Sequence, residues 1–210
     1  MTGIVAKPVS DFVEEVASSS PAPGGGSVSA LAGALGAALG CMVARLTIGK
    51  PGYERVSGEL QNELEKLESL RKEMLEIVDR DTEAFNRVTA AFAMPRETGN
   101  QKQERSKAIQ EALKGAALVP LKLAGKCSAA LDGLRVLAEK GNPSAASDAG
   151  VGALLVHAGL MGAALNVEIN LKNIRDQDFN ERILKELKSY TSFSDERLRD
   201  ILTACRSRMG

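Results

Sequence analysis

The segment Val28–Ile48 constrains this chain more than any other. Its twenty-one residues carry a single charge, Arg45, and six alanines and three glycines make the run small-sided as well as apolar. A helix that is hydrophobic all round has to be covered on every side, by a bilayer or by other helices. The small side chains favour the second solution. They give little transfer energy for a bilayer span, whereas Gly33, Gly36 and Gly40 let neighbouring backbones approach closely. A second, almost wholly apolar run, Ala149–Ile174, repeats the pattern. Two long apolar central helices predict an all-α fold, an antiparallel up-and-down helical bundle formed by residues 1–210 as one domain.

The rest of the chain reads as helix. Ser10–Ser18 is a short first helix with Phe12, Val13 and Val16 apolar. A turn, Gly49-Lys50-Pro51-Gly52-Tyr53, stops the first central helix. From Ser57 to Ala93 apolar residues recur at steps of three and four, from Leu60 and Leu64 through Met74 and Val78 to Phe85, Val88 and Phe92. Pro95 ends that helix, and Arg96–Glu104 reads as a charged loop. Arg105–Lys140 follows, expected to bend at Pro120. Gly141-Asn142-Pro143 is a break, after which Ser147 or Asp148 caps the second apolar helix. Asp178–Tyr190 and Ser194–Arg208 are two short amphipathic helices, and no strand pattern or repeat is present.

Charge and cysteine content narrow the function classes. Twenty-seven basic and twenty-seven acidic residues cancel, without a basic block or arm, so no field recruits nucleic acid. Cys41, Cys127 and Cys205 are widely spaced and lie on apolar faces, which reads as buried reduced thiols. The single histidine, His157, excludes a histidine metal cluster and reads as a satisfied or exposed side chain. No basic n-region leads into an apolar stretch at the N-terminus, so a cytoplasmic protein is expected.

Three polar features stand out against the apolar pattern. The first is Ser20-Pro21-Ala22-Pro23-Gly24-Gly25-Gly26-Ser27, which enters the first central helix. Bare amides at a helix start suit an anion or polarised oxygen, with Ser27 as N-cap; a flexible turn accounts for the glycines equally well. The second is Asp81, on the same stripe as Met74, Val78, Phe85 and Val88. A desolvated carboxylate there has its pKa raised toward the range of proton transfer, unless a structural partner satisfies it. Asp79 and Glu83 beside it read as surface charges. The third is Asn166 with Asn170, four apart on one helical face, forming either an interhelical lock or a ligand contact.

Helix arithmetic sorts these residues into two groups. At about 1.5 Å per residue, the first central helix carries the chain roughly 30 Å from the glycine loop down to Lys50 and Tyr53. The next helix returns Asp81 to the loop end, and the last apolar helix returns Asn166 and Asn170. Asn142, Ser147 and Asp148 stay at the Lys50 end. An antiparallel homodimer would join the two ends into one composite site.

The loop Ser20–Val28, with Gly33-Ala34-Leu35-Gly36-Ala37-Ala38-Leu39, resembles the cyclodeaminase/cyclohydrolase family of folate enzymes. That family includes the C-terminal half of formiminotransferase-cyclodeaminase and the stand-alone bacterial methenyltetrahydrofolate cyclohydrolases. Leu46-Thr47-Ile48-Gly49-Lys50 with Tyr53, Asp79–Phe85, Val119-Pro120-Leu121 and Glu139–Asn142 extend the resemblance. Ser147–Val151 and Ala164–Val167 with Asn170-Leu171 complete it in the same order. The resemblance implies a dimer acting on one-carbon tetrahydrofolates without a metal or redox cofactor. It implies hydrolysis of 5,10-methenyltetrahydrofolate, or cyclodeamination of 5-formiminotetrahydrofolate. It further implies Asp81 as general acid/base, with Lys50 positioning the proton or pairing with a substrate carboxylate. Tyr53 would meet the pterin by stacking or a hydrogen bond, and Asn142 and Asp148 its amino-pyrimidine edge. Pro23, Gly24, Gly25, Gly26 and Ser27 would hold a polar edge or carboxylate of the folate. Asn166 would orient the substituent of the reacting carbon, and Asn170 would also bind substrate. A non-catalytic bundle that binds folate or a protein partner is the contrasting expectation.

Overall fold

The structure, a computed structural model, describes residues 3–210. Seven α-helices follow a 3-10 turn at Ile4–Ala6: α1 Val9–Ala17, α2 Gly25–Arg45, α3 Ser57–Ala93, α4 Gly99–Lys140, α5 Ala146–Leu171, α6 Gln177–Thr191 and α7 Ser194–Met209. A further 3-10 turn, Pro143–Ala145, leads into α5, and no strand occurs among the described residues.

Contacts between helices fix the directions. Ser27 meets Val78 near the start of α2, and Gly40 lies against Leu67 near its end, so α3 runs back along α2. Lys126 pairs with Glu73, while Gly133 lies against Glu63, so α4 reverses again. Gly25 faces Asn166 and Gly36 faces Gly152, which sets α5 antiparallel to α2. Lys114 pairs with Asp176, and Arg208 bonds the Glu139 carbonyl, so α6 and α7 follow α4 in series. The up-and-down bundle has α2 and α5 at its centre. Both are long and apolar enough to cross a membrane, and half or more of each apolar window is buried inside the bundle.

Glycine makes the central packing possible. A Cβ on Gly36 would strike the Gly152 carbonyl, and one on Gly159 would stand 2.8 Å from the Ser29 carbonyl. Leu60, Leu67, Met74, Leu123, Leu131, Leu134 and Leu160 are fully buried in the core of the bundle. Along the outer face of α3, Glu63–Lys66, Glu68–Arg71 and Glu76–Arg80 pair across one helical turn.

Several boundaries differ from the expectations. α2 starts at Gly25 with Gly24 as N-cap, three residues before Val28, and Ser27 is turned inward. Glycine at the first positions leaves the helix start open to close approach from α3. The segment Arg96–Glu104 is mostly helix, because Thr98 and Gln101 form a reciprocal capping box that starts α4 at Gly99. α5 begins at Ala146, so Ser147 and Asp148 lie inside its first turn and neither caps it. Asp79 is no plain surface charge: its carboxylate accepts the Ile4 and Val5 amides at 2.7 and 3.3 Å, tying the N-terminal segment to α3. The three cysteines are buried and free.

Candidate active site

Asp81 stands on α3 where the start of α2 crosses it. Ser27 is fully buried, and its hydroxyl donates to Asp81 Oδ2 at 2.9 Å and contacts the Val78 carbonyl oxygen at 3.0 Å. The Ser27 amide also bonds the Asp81 carboxylate. The carboxylate thus occupies the anion position that a helix N-terminus offers. Burial raises the Asp81 pKa, and the two Ser27 hydrogen bonds pull it back only in part. Ser27 is therefore not a substrate contact: with no surface exposed, it positions Asp81 from behind.

Gly26 permits this arrangement, since a Cβ there would run into the Asp81 carboxylate. We expect Gly26→Ala to cost about 1–3 kcal/mol by overpacking. Thermal unfolding reads the loss, and unchanged stability would show that Asp81 can move aside.

Asp81 faces a cleft of about 360 Å³. Pro21, Ala22 and Gly24–Gly26 form one wall, Ala84, Phe85, Val88 and Phe92 of α3 another, and Leu113 and Ala116 of α4 a third. Asn166, Ile169 and Asn170 of α5, with Asn173 in the turn after it, close it. Pro23, although in the loop, is buried beneath it and takes no part in the wall. Phe85 and Phe92 belong to the periodic apolar stripe of α3, yet they are 39% and 48% exposed because that stripe turns out of the core toward the cleft.

The two asparagines differ in their anchoring. Asn166 Nδ2 donates to the Gly162 carbonyl in its own helix at 2.8 Å, and its side chain lies against Gly25. Asn170 Nδ2 crosses to the Ala116 carbonyl of α4 at 3.0 Å. Asn170 is thus both an interhelical lock and part of the cleft wall.

The second group of residues lies at the far end of α2, about 30 Å away by helix rise. Lys50 is exposed and Tyr53 half-buried in the turn after α2. Asn142 is consumed by the fold: its amide nitrogen donates to Thr47 Oγ1, its Nδ2 to the Leu46 carbonyl, and its Oδ1 accepts from Ser144. Asp148 is half-buried in the first turn of α5 beside it. None of these four lines the Asp81 cleft within one chain.

A cationic hollow missed by sequence reasoning adjoins the cleft. It shares Phe92, Leu113 and Asn173 with it and adds Arg105, Lys172 and Arg175. These cations come from two distant segments, so no local charge run announced them. Elsewhere, an apolar hollow of about 260 Å³ between residues 4–16 and α2 holds Lys7 as its one charged group. His157 lies outside the cleft, 2.9 Å from Asp195 Oδ1.

Known proteins resemble this chain in sequence and in fold. The family model described as formiminotransferase-cyclodeaminase matches residues 8–189. The chain is 46% identical over 180 residues to the methenyltetrahydrofolate cyclohydrolase of Methylorubrum extorquens, covering 86% of each protein. It is 40% identical over 193 residues to the formimidoyltransferase-cyclodeaminase of Gallus gallus, covering 89% of this chain and 36% of that protein. It thus spans about a third of that longer relative. The crystal structure of the formiminotetrahydrofolate cyclodeaminase from Thermotoga maritima superposes with a TM-score of 0.86 at 32% identity, covering 96% of this chain and 97% of that one.

Proposed function

Because the chain belongs to the formiminotransferase-cyclodeaminase family, we propose that it hydrolyses 5,10-methenyltetrahydrofolate to 10-formyltetrahydrofolate in the Asp81 cleft. The observation that carries this reading is a half-buried carboxylate, held at a helix N-terminus, facing an open cleft. The match over 86% of each protein to a relative named as a cyclohydrolase favours water as the nucleophile.

The methenyl carbon bridges N5 and N10 and shares a positive charge with both. Ionised Asp81 takes a proton from water as the water oxygen bonds to that carbon, giving a neutral tetrahedral carbinol. The Asp81 proton then passes to N5 and the C–N5 bond breaks. The carbinol O–H releases its proton to solvent as the formyl C=O forms on N10. Substrate cation and water become the neutral formyl product and one proton. Ser27 holds the carboxylate through both transfers, and Phe85 and Phe92 offer apolar faces to the pterin and benzoyl rings.

The glutamate carboxylates of the folate then lie toward Arg105, Lys172 and Arg175. Replacing Lys172 and Arg175 together by Ala should raise KM about tenfold at low salt with kcat retained, the scale of lost charge-assisted bonds. An unchanged KM would remove the tail from that hollow.

We further propose a cytoplasmic homodimer that joins the two ends of the bundle. α2 and its C-cap expose Val28, Leu35, Met42 and Leu46, and α5 exposes Val151, Leu154, Met161, Leu165 and Ile169. Apolar faces of this extent favour cover by another subunit. In an antiparallel pair, Lys50, Tyr53 and Asp148 of one protomer would complete the Asp81 cleft of its partner.

Likeness to the Thermotoga maritima structure favours a second reading, cyclodeamination. There N10 attacks the formimino carbon and ammonia leaves, with Asp81 protonating the departing nitrogen. Ammonia release from 5-formiminotetrahydrofolate decides between them. The cyclohydrolase reading predicts none above background, and rapid release would replace it.

A further inference from the structure

The α4 wall of the cleft is built around a proline. Pro120 lies inside α4, where it has no N–H to give the carbonyl four residues earlier, and its ring crowds that carbonyl outward. That carbonyl belongs to Ala116, and Asn170 Nδ2 of α5 donates to it at 3.0 Å. A carbonyl oxygen only accepts, so the Asn170 amide has to turn its NH2 toward α4. Its Oδ1 is the atom left for the cleft that Asn170 lines.

Asn166 is oriented in the same sense, because its NH2 is held by the Gly162 carbonyl. Asn166 Oδ1, Asn170 Oδ1 and the Asp81 carboxylate therefore make an acceptor wall. Such a wall is matched by a ligand edge rich in N–H donors, and it disfavours one that presents oxygens.

We propose that Pro120 is a positioning residue: by freeing the Ala116 carbonyl it fixes Asn170 as a hydrogen-bond acceptor toward substrate. The ligand edge selected is one of N–H donors, as the reduced pterin carries on its ring and amino nitrogens. This inference rests on the folate reading of the cleft.

Pro120→Ala is the test. It restores an N–H that can bond Ala116 within α4 and draws the carbonyl back along the helix axis. Alanine is the better helix former, so the melting temperature should stay level or rise. KM for 5,10-methenyltetrahydrofolate should rise about fivefold, with kcat within about twofold, the weight of one neutral hydrogen bond. Asn170→Ala should match that rise, and the double variant should add nothing to it. Nuclear magnetic resonance of the Asn170 side-chain amide should show faster solvent exchange in Pro120→Ala than in the parent.

Parent KM together with parent amide exchange in Pro120→Ala would overturn the proposal, as would additive effects in the double variant. If the parent turns over neither folate, the cleft reading fails instead. The amide exchange still decides whether Pro120 orients Asn170.

Discussion

Replacing Asp81 by Asn will lower kcat on 5,10-methenyltetrahydrofolate by about a thousandfold, within the range of a lost general acid–base group. Binding should be nearly kept, because the amide fills the same volume and its oxygen can still accept from Ser27. The parent's pH profile should carry the same residue's signature. Burial holds the Asp81 pKa above the ordinary aspartate value. The carboxylate has to be ionised to take the proton from water, so activity falls as pH drops through that raised pKa. The acid limb of kcat/KM therefore lies higher than an ordinary aspartate would place it. Stability has the opposite sense. A folded pKa above the unfolded one favours the protonated group in the native state, so its contribution is full below the unfolded value and fades as pH rises through the folded one. Asp81→Asn removes that loss and should be at least as stable as the parent at neutral pH. A destabilised variant that regains turnover on cooling would assign Asp81 to structure rather than chemistry.

The second large effect concerns pairing between subunits. Lys50→Ala and Asp81→Asn should each be nearly inactive alone. Lys50 stands about 30 Å from the cleft of its own chain, so a shared site has to draw it from the partner. Mixed after mild dissociation, the two variants should regain about a quarter of parent activity, since about half the dimers are hybrid and one of two sites in each is intact. A mixture that stays at the sum of its components would place Lys50 and Asp81 in separate roles. Mass measurement in solution gives an independent reading of the dimer.

Much of the architecture was legible because helical periodicity and small-residue runs leave few alternatives. Val28–Ile48 and Ala149–Ile174 had to be central, and the structure differs mainly at their ends. Those ends depend on caps that local pattern only half reveals. Ser27 looked like an N-cap by residue type, yet Gly24 takes that position and Ser27 turns inward to Asp81. Thr98 and Gln101 carried a legible capping box inside a stretch whose charge suggested a loop.

The candidate cleft was legible wherever a polar residue broke an apolar stripe, as Asp81, Asn166 and Asn170 do. It was illegible wherever a role depends on another helix. Phe85 and Phe92 fit the α3 stripe, and only the bundle's geometry turns them to the cleft. Asn142 looked like a ligand residue but satisfies the end of α2. Asp79, apparently a surface charge, holds the Ile4 and Val5 amides across 75 and 74 residues of sequence.

The most direct test of the central claim follows the near-ultraviolet absorbance of 5,10-methenyltetrahydrofolate after adding the pure protein. An Asp81 cleft that activates water predicts rapid loss of that absorbance with 10-formyltetrahydrofolate as product. Decay at the uncatalysed rate across the pH range would contradict it.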